Sequence, residues 1–297
     1  MIKEGEYMST KITTVVIPVA GKGTRFLPVT KVVNKTLFPI INKPTIQYLL
    51  EEGLNAGIKH FILIINEEQL DIKDYLNLNS PYYKLLSKHY SDLDQLDEIL
   101  SNIKIDYVIQ DKLDGLGGAI SRCKNLIKDD AFAVMLGDDL VLHNKENVYG
   151  IESLIKEYEK LPGYYLGVNE VDPKFTYKYG IIKKEGNKVI GIVEKPKSNP
   201  PSNFACVGRY ILKNNVFDYL EKVRKDDTGE IQLTDALALA IKNENVYSNV
   251  FGGERFDIGD HAGFVKATIR QALNDPAISN DVYDYIQEVE ENWKRIS

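Results

Sequence analysis

Two short segments of this 297-residue chain carry residue types suited to phosphate and metal chemistry. In the first, the apolar run Ile12 to Val19 leads straight into Ala20-Gly21-Lys22-Gly23-Thr24-Arg25. Glycines at such a turn let backbone N–H groups approach a phosphate, and an arginine beside them grips its oxygens with a planar fork. In the second, Leu136-Gly137-Asp138-Asp139-Leu140 puts carboxylates at the end of an apolar run, an arrangement that suits Mg2+ held together with substrate phosphates. Two familiar phosphate loops do not fit the glycine turn. A dinucleotide fingerprint needs a third glycine where Phe26 stands, and a Walker A loop needs Gly-Lys-Ser/Thr after four spacer residues, so a dinucleotide-dependent dehydrogenase is a distant reading. His60, His89, His143 and His261 have no metal or catalytic spacing, and Cys123 and Cys206 lie outside any CxxC pattern, which makes them reduced, buried thiols.

The elements that must position these residues follow from periodicity. Ile12 to Val19 reads as a buried strand and Ile46 to Ala56 as a helix ending at Gly57. Phe61 to Ile65 reads as a second buried strand, parallel to the first across a right-handed crossover. Asp92 to Ile103 reads as an amphipathic helix, Ile105 to Ile109 as a strand, Leu116 to Cys123 as the start of a helix and Phe132 to Leu136 as another strand. This alternation predicts a Rossmann-like, doubly wound α/β sheet, mostly parallel, with its ligand crevice at the carboxyl ends of the strands. From Tyr164 the runs Tyr164 to Val171, Gly180 to Lys184, Val189 to Glu194 and Ala205 to Leu212 predict a β-rich, partly antiparallel portion. Ile231 to Ile241, Ala262 to Leu273 and Asn280 to Ile296 return to helical spacing.

Composition bounds the function. The net charge of −6 argues against a broad basic surface, so no nucleic-acid partner is expected and any anion site must be local. No stretch approaches the length of a membrane span, and the charged start Met1 to Glu6 is unlike a signal peptide, so no membrane association is expected and the cytoplasm is the default. Residues 1–11 read as a disordered extension before a single domain, 12–297, with one main core and no internal repeat or linker.

Lys35 stands ten residues beyond Arg25, in Asn34-Lys35-Thr36-Leu37-Phe38-Pro39, and Asn42-Lys43-Pro44 follows. With the glycine turn, these residues resemble the nucleotide-sugar pyrophosphorylase signature GxGTRxxPxTxxxPKxxxPxxxKPxxxY. The pairs Thr30-Lys31 and Lys43-Pro44 with Ile46-Gln47-Tyr48 narrow the resemblance to bacterial UTP:glucose-1-phosphate uridylyltransferases. It continues through Gln110 with Gly115-Leu116-Gly117, Asp138, Tyr179-Gly180, Glu194-Lys195-Pro196, Val207-Gly208-Arg209-Tyr210, Glu230 to Asp235, and Asp257 in Phe256-Asp257-Ile258-Gly259-Asp260.

The resemblance implies a nucleotide-diphospho-sugar transferase fold in which 12–163 mainly binds nucleotide, 164–260 mainly binds sugar phosphate, and 261–297 forms C-terminal helices. It implies that UTP and glucose 1-phosphate become UDP-glucose and pyrophosphate, and that the chain forms a homo-oligomer, a dimer or tetramer. By the same carry-over Ala20, Gly21, Gly23, Thr24, Arg25 and Lys35 hold the nucleotide, the arginine and lysine taking its triphosphate. Gln110 and Gly115 contact uracil; Glu194 accepts sugar hydroxyls, Lys195 binds the sugar phosphate, and Gly180, Val207 and Gly208 line the hexose. Arg25, Lys35, Asp138 and Lys195 become the catalytic set, with Asp138 and Asp257 sharing Mg2+ at the convergent carboxyl ends of neighbouring strands. Asp139 and Asp260 are read as local turn and helix-capping groups, and Glu230 to Asp235 as packing.

The pattern also departs from the family's. Asn34 replaces the usual proline, Thr36 a common glutamate, Gly137 a common proline, and Gly118 the histidine that often follows Gly-Leu-Gly. The same chemistry with dTTP, CTP or another hexose phosphate is the nearest alternative, and a regulatory paralogue that binds nucleotide sugar without turnover is a further one. Retention of Arg25, Lys35, Asp138, Lys195 and Asp257 favours an enzyme.

Overall fold

A computed structural model describes residues 11–88, 91–142 and 149–296. The extension expected over 1–11 therefore lies outside the described residues except for Lys11, as do His89 and His143.

Strand β1 (Thr14–Pro18) is followed by three short 3-10 turns and a small hairpin of β2 (Pro39–Ile40) and β3 (Lys43–Pro44), then α1 (Thr45–Asn55) and β4 (His60–Ile65). Helices α2 (Asp71–Tyr75), α3 (Pro81–Leu86) and α4 (Asp94–Ser101) lead to β5 (Lys104–Ile109), α5 (Gly115–Ser121), β6 (Ala131–Met135) and β7 (Asp139–Leu142). Next come α6 (Gly150–Lys160), β8 (Tyr164–Glu170), β9 (Gly180–Glu185), β10 (Lys188–Glu194) and β11 (Phe204–Lys213). The chain continues through α7 (Val216–Leu220), α8 (Leu233–Ala240), β12 (Val246–Asn249), β13 (Glu254–Asp257), α9 (His261–Asn274) and α10 (Ser279–Ile296).

Nine strands form one sheet in the order β5-β4-β1-β6-β11-β8-β12-β10-β9. The first four are parallel, as the alternation of strands and helices predicts. Beyond β6 the sheet turns antiparallel except for the β8–β12 pair, and β9 curls back to meet β11 at Ala205 and Ile181. The sheet is thus mixed, its antiparallel pairings all involving the β-rich portion beyond Tyr164. From β1 the chain winds outward to β4 and β5, then returns to place β6 on the other side of β1. That reversal leaves a crevice between the loops leaving β1 and β6, the two segments richest in phosphate and metal chemistry.

Successive residues on a strand face opposite ways, and β1 shows the consequence. Val15 and Ile17 join the core under α1 and α6, whereas Val16 joins the core under α5, α7 and α8. Both faces are therefore covered by apolar helix surfaces, such as Leu49, Leu50 and Leu154 on one side and Ile120, Phe217 and Leu237 on the other. A third cluster, Ile40, Leu140, Leu142, Phe256, Ile258 and Ala267, seats an antiparallel ribbon of β7 and β13 against α9.

An ion pair with no solvent contact on its cation ties β11 to α1. Arg209 on β11 donates from Nε and Nη2 to the Glu52 carboxylate on α1, at 2.7 and 2.6 Å, and again from Nη2 to the Asp139 carbonyl at 3.0 Å. Glu52 also accepts the Ile151 N–H at the start of α6, at 2.7 Å. Gly150 is needed there because its φ is +52° and a Cβ would collide with the Glu52 carboxylate.

Candidate active site

A cavity of about 910 Å³ opens at the carboxyl ends of β1 and β6 and runs across to β9 and β10. On one side lie Ala20, Gly21, Arg25, Lys35, Gln110, Gly115 and Asp138; on the other lie Gly180, Glu194, Lys195 and Asp257. Four residues expected in the site, Gly23, Thr24, Val207 and Gly208, do not line it.

The two glycines of the turn play different parts. A Cβ on Gly21 would meet nothing within 4 Å, so the backbone faces open space that a ligand oxygen can enter. Gly23 shapes the turn instead: its φ is +59°, and a Cβ would press to 2.8 Å on Thr30, whose hydroxyl donates to the Gly23 carbonyl. Phe26, standing where the dinucleotide fingerprint has glycine, packs edge-on against Phe38, Phe264 and His261. Beside these contacts Arg25 donates from Nη1 to the Gly259 carbonyl at 3.1 Å.

Lys35 sits at the start of a 3-10 turn, and its Nζ donates to Asp138 Oδ2 at 2.7 Å. Desolvation opposes the Asp138 charge, but Lys35 outweighs it and holds the carboxyl below its ordinary range. Behind Lys35 three of the four departures from the family pattern, Asn34, Thr36 and Gly137, form one packed unit. The buried Asn34 side chain donates to the Val19 carbonyl and Gln69 Oε1, both at 2.9 Å, and accepts from the Thr36 N–H and hydroxyl at 2.9 and 2.8 Å. Its own N–H, which a proline lacks, donates to Asp71. Gly137 fits against the same group, since a Cβ there would come within 2.9 Å of the Pro18 carbonyl and 3.3 Å of Thr36. The amide thus ties the exit of β1 to the turn that carries Lys35.

Asp138 and Asp257 do converge, but not from neighbouring strands of the parallel sheet. Asp138 leaves β6, whereas Asp257 ends β13, in the separate ribbon where it pairs in register with Asp139. The ribbon is pinned to the Asp138 loop by the Ile258 N–H, which donates to the Asp138 carbonyl at 2.9 Å. Gly259 lies between the two carboxylates: a Cβ there would stand 3.0 Å from Asp257 Oδ1 and 3.1 Å from Asp138 Oδ2. The missing side chain leaves room for an ion between two hard oxygen donors, the donor type that Mg2+ takes. Among the described residues no group of three or more His, Cys, Asp and Glu side chains is arranged to hold a metal, so phosphate or water oxygens must complete any shell here.

Asp139 is neither a turn nor a capping group. It begins β7, is buried, and pairs with Arg255 on the facing strand. Burial pushes its carboxyl up to about 6 against the pull of Arg255, and the nearby Asp138 charge adds to the rise. Gly208, at an irregularity of β11 with φ +48°, serves this pair, because a Cβ would collide with the Asp139 carboxylate. Val207 is core. Asp260 does cap α9, accepting the Gly263 N–H at 2.9 Å.

On the far wall, Gly180 and Glu194 face each other in the β9–β10 register. Glu194 accepts the Thr234 hydroxyl at 2.5 Å, so the Glu230 to Asp235 segment, read from sequence as packing, also orients a cavity residue. Lys195 has φ +40°, a left-handed conformation that costs a side-chain-bearing residue energy, and its N–H donates to the Tyr179 carbonyl at 3.0 Å. Tyr179 also lies under the Arg255 guanidinium at 5.2 Å and donates a long hydrogen bond to Asp257 at 3.4 Å. Arg255 and Thr234 were not foreseen as site residues; the acidic partner of each is distant in sequence.

A sequence model of the nucleotidyl transferase family matches residues 14–272, and the chain belongs to that family. Among its relatives, UTP–glucose-1-phosphate uridylyltransferase of Staphylococcus epidermidis is 40% identical over 94% of this chain and 99% of the relative. The protein of the same name from Mycoplasma genitalium is 38% identical over 92% of this chain and 96% of the relative. A crystal structure of UDP-glucose pyrophosphorylase complexed with UDP-glucose superposes with a TM-score of 0.81 at 32% identity, covering 89% of this chain and all of the other. A UTP-bound structure of the Acinetobacter baumannii enzyme superposes at 0.82 with 31% identity, covering 93% and 99%.

Proposed function

We propose that the chain is a uridylyltransferase that forms UDP-glucose and pyrophosphate from UTP and glucose 1-phosphate. The observation that carries this reading is one cavity with Arg25, Lys35 and the Asp138–Asp257 carboxylates on its floor, a buried amide at one end and Glu194-Lys195 at the other. Relatives named for this activity, at about 40% identity over nearly the whole chain, support it.

An oxygen of the sugar phosphate attacks the α-phosphorus of UTP; the new P–O bond forms as the bond to the pyrophosphate oxygen breaks in line. A sugar phosphate is largely dianionic near neutral pH, so no general base is required. Catalysis rests on alignment and charge. Ala20, Gly21, Gly23 and Thr24 form the nucleotide turn, Arg25 and Lys35 grip the triphosphate, and Gln110 and Gly115 read the base. Lys195 takes the sugar phosphate, while Glu194 and the backbone at Gly180 hold the hexose; Val207 and Gly208 support that wall from beneath. Asp138 and Asp257 would hold Mg2+, which supplies charge neutralisation at the phosphates. When the triphosphate arrives, Lys35 and Arg25 exchange their present partners, Asp138 and the Gly259 carbonyl, for phosphate oxygens.

The division of labour between 12–163 and 164–260, with 261–297 as C-terminal helices, belongs to the same proposal, as does assembly into a homo-oligomer. Exposed Tyr285 and Val289 on α10 support the latter. No helix among the described residues is long and apolar enough to cross a membrane; a cytoplasmic location belongs to the same proposal. A pyrophosphate-release assay across the nucleoside triphosphates and several sugar 1-phosphates tests the reading. The highest kcat/KM is expected for UTP with glucose 1-phosphate, and equal turnover of CTP or dTTP overturns the assignment.

A further inference from the structure

We infer that Asp114, which does not line the cavity, fixes the Gln110 amide so that the site selects a base whose N3 carries a hydrogen, uracil, against one whose N3 is an acceptor, cytosine. The inference rests on the reading above that Gln110 faces the base. Gln110 is buried, and its Nε2 donates to Asp114 Oδ1 at 3.3 Å. Arg122 Nη1 holds both Asp114 oxygens, at 2.9 and 3.1 Å, while its Nε and Nη2 grip Asp111 at 3.1 and 2.6 Å. Burial opposes the Asp114 charge, but the hydrogen bonds from Arg122 and Gln110 prevail and hold it ionised. An ionised carboxylate only accepts hydrogen bonds, so the amide atom against it must be nitrogen. That leaves Oε1 as the open end of the amide, and among the described residues it accepts no hydrogen bond.

Gly118 is the other half of the device. A Cβ at Gly118 would stand 2.5 Å from Asp114 Cγ, so no side chain fits beside this carboxylate, and the histidine that often occupies the position in the family pattern is excluded. The Asp114 backbone is equally constrained, with its carbonyl accepting the Ile231 N–H at 2.8 Å.

The consequence for a base is a choice between two penalties. Uracil donates N3–H to Oε1 and both groups are satisfied. Cytosine sets its N3 lone pair against Oε1, and turning the amide to meet it sets Oε1 against the Asp114 carboxylate. Either way two acceptors face each other in a buried site, which costs at least about ten-fold in affinity. Thymine also carries N3–H, so the device does not separate it from uracil.

The test compares UTP and CTP on the full chain, by titration calorimetry and by turnover with glucose 1-phosphate. The wild type is expected to bind UTP at least about ten-fold more tightly than CTP. Asp114→Asn keeps the shape but can donate or accept, so either turn of Gln110 becomes tolerable. Its preference is expected to narrow about ten-fold, with the melting temperature and the KM for glucose 1-phosphate unmoved. Gly118→Ala, which pushes Asp114 aside, should narrow the preference by an independent route. A preference unchanged in both folded variants, or a wild type that binds CTP as tightly as UTP, overturns the inference. UTP selectivity that collapses in Asp114→Asn, without UDP-glucose formed by the wild type, upholds the orientation and sinks the uridylyltransferase reading instead.

Discussion

The two walls of the cavity place their side chains by different means. On the nucleotide wall, Gly21, Arg25, Lys35 and Asp138 stand on irregular segments beyond the ends of β1 and β6, and side-chain hydrogen bonds hold them: Asn34 to Val19, Thr30 to Gly23, Lys35 to Asp138. On the sugar wall, Gly180 and Glu194 are set by antiparallel register, and the β7–β13 ribbon brings Asp257 opposite Asp139 in the same way. The difference teaches where each wall is vulnerable. Losing one polar group should loosen the first, whereas the second should tolerate such losses unless a charge becomes buried without its partner.

The largest expected effect is where the two walls meet, at Asp138 and Asp257. Asp138→Asn keeps size but removes the charge that pairs with Lys35 and faces Asp257, so turnover should fall by about 10²–10³ or more, with partial recovery at high Mg2+. Steady-state rates and a melting curve check this; normal turnover with normal Mg2+ dependence removes Asp138 from the metal site. Arg209→Met should act on stability rather than chemistry. It leaves Glu52 buried without its cation, and the loss should be about 3–5 kcal/mol, read as a lowered denaturant midpoint.

The comparison sharpens with one substitution on each wall. Asn34→Ala strands the Val19 carbonyl and frees the Lys35 turn, costing about 1–3 kcal/mol; it should raise the KM for UTP several-fold more than that for glucose 1-phosphate. Lys195→Ala should do the reverse, raising the KM for glucose 1-phosphate and lowering kcat while UTP affinity, measured by calorimetry, survives. If both variants damage the same substrate, the two walls do not divide the ligands as proposed.

The smallest effect concerns Cys123, whose thiol burial pushes up to about 12. Its thiolate fraction is negligible at neutral pH, so a thiol reagent should label the folded protein slowly and without loss of activity. Rapid native labelling would show that the packing of α5 on the sheet opens readily.

The sequence by itself determined the parallel half of the sheet, because runs such as Val15-Val16-Ile17 and Phe61 to Ile65 can only be buried on both faces, and the crossover between them has one hand. It also pointed to part of the cavity lining, Arg25 and Asp138 through the turns that carry them and Lys35, Gln110 and Lys195 through the resemblance to a family. It did not determine what those residues touch. Asp139 looked like a turn residue because Arg255, which neutralises it, lies more than a hundred positions away and is reached only through the β7–β13 ribbon. Gly118 read only as a departure from the family pattern and Gly208 as a residue lining the hexose, yet each leaves the space that a carboxylate fills, Asp114 for the one and Asp139 for the other. Hydrophobic period and turn chemistry are local and can be read along the chain. Charge compensation is not local: a buried carboxylate is stable only against the particular donor that the folded chain brings to it, so its meaning was decided by tertiary structure alone.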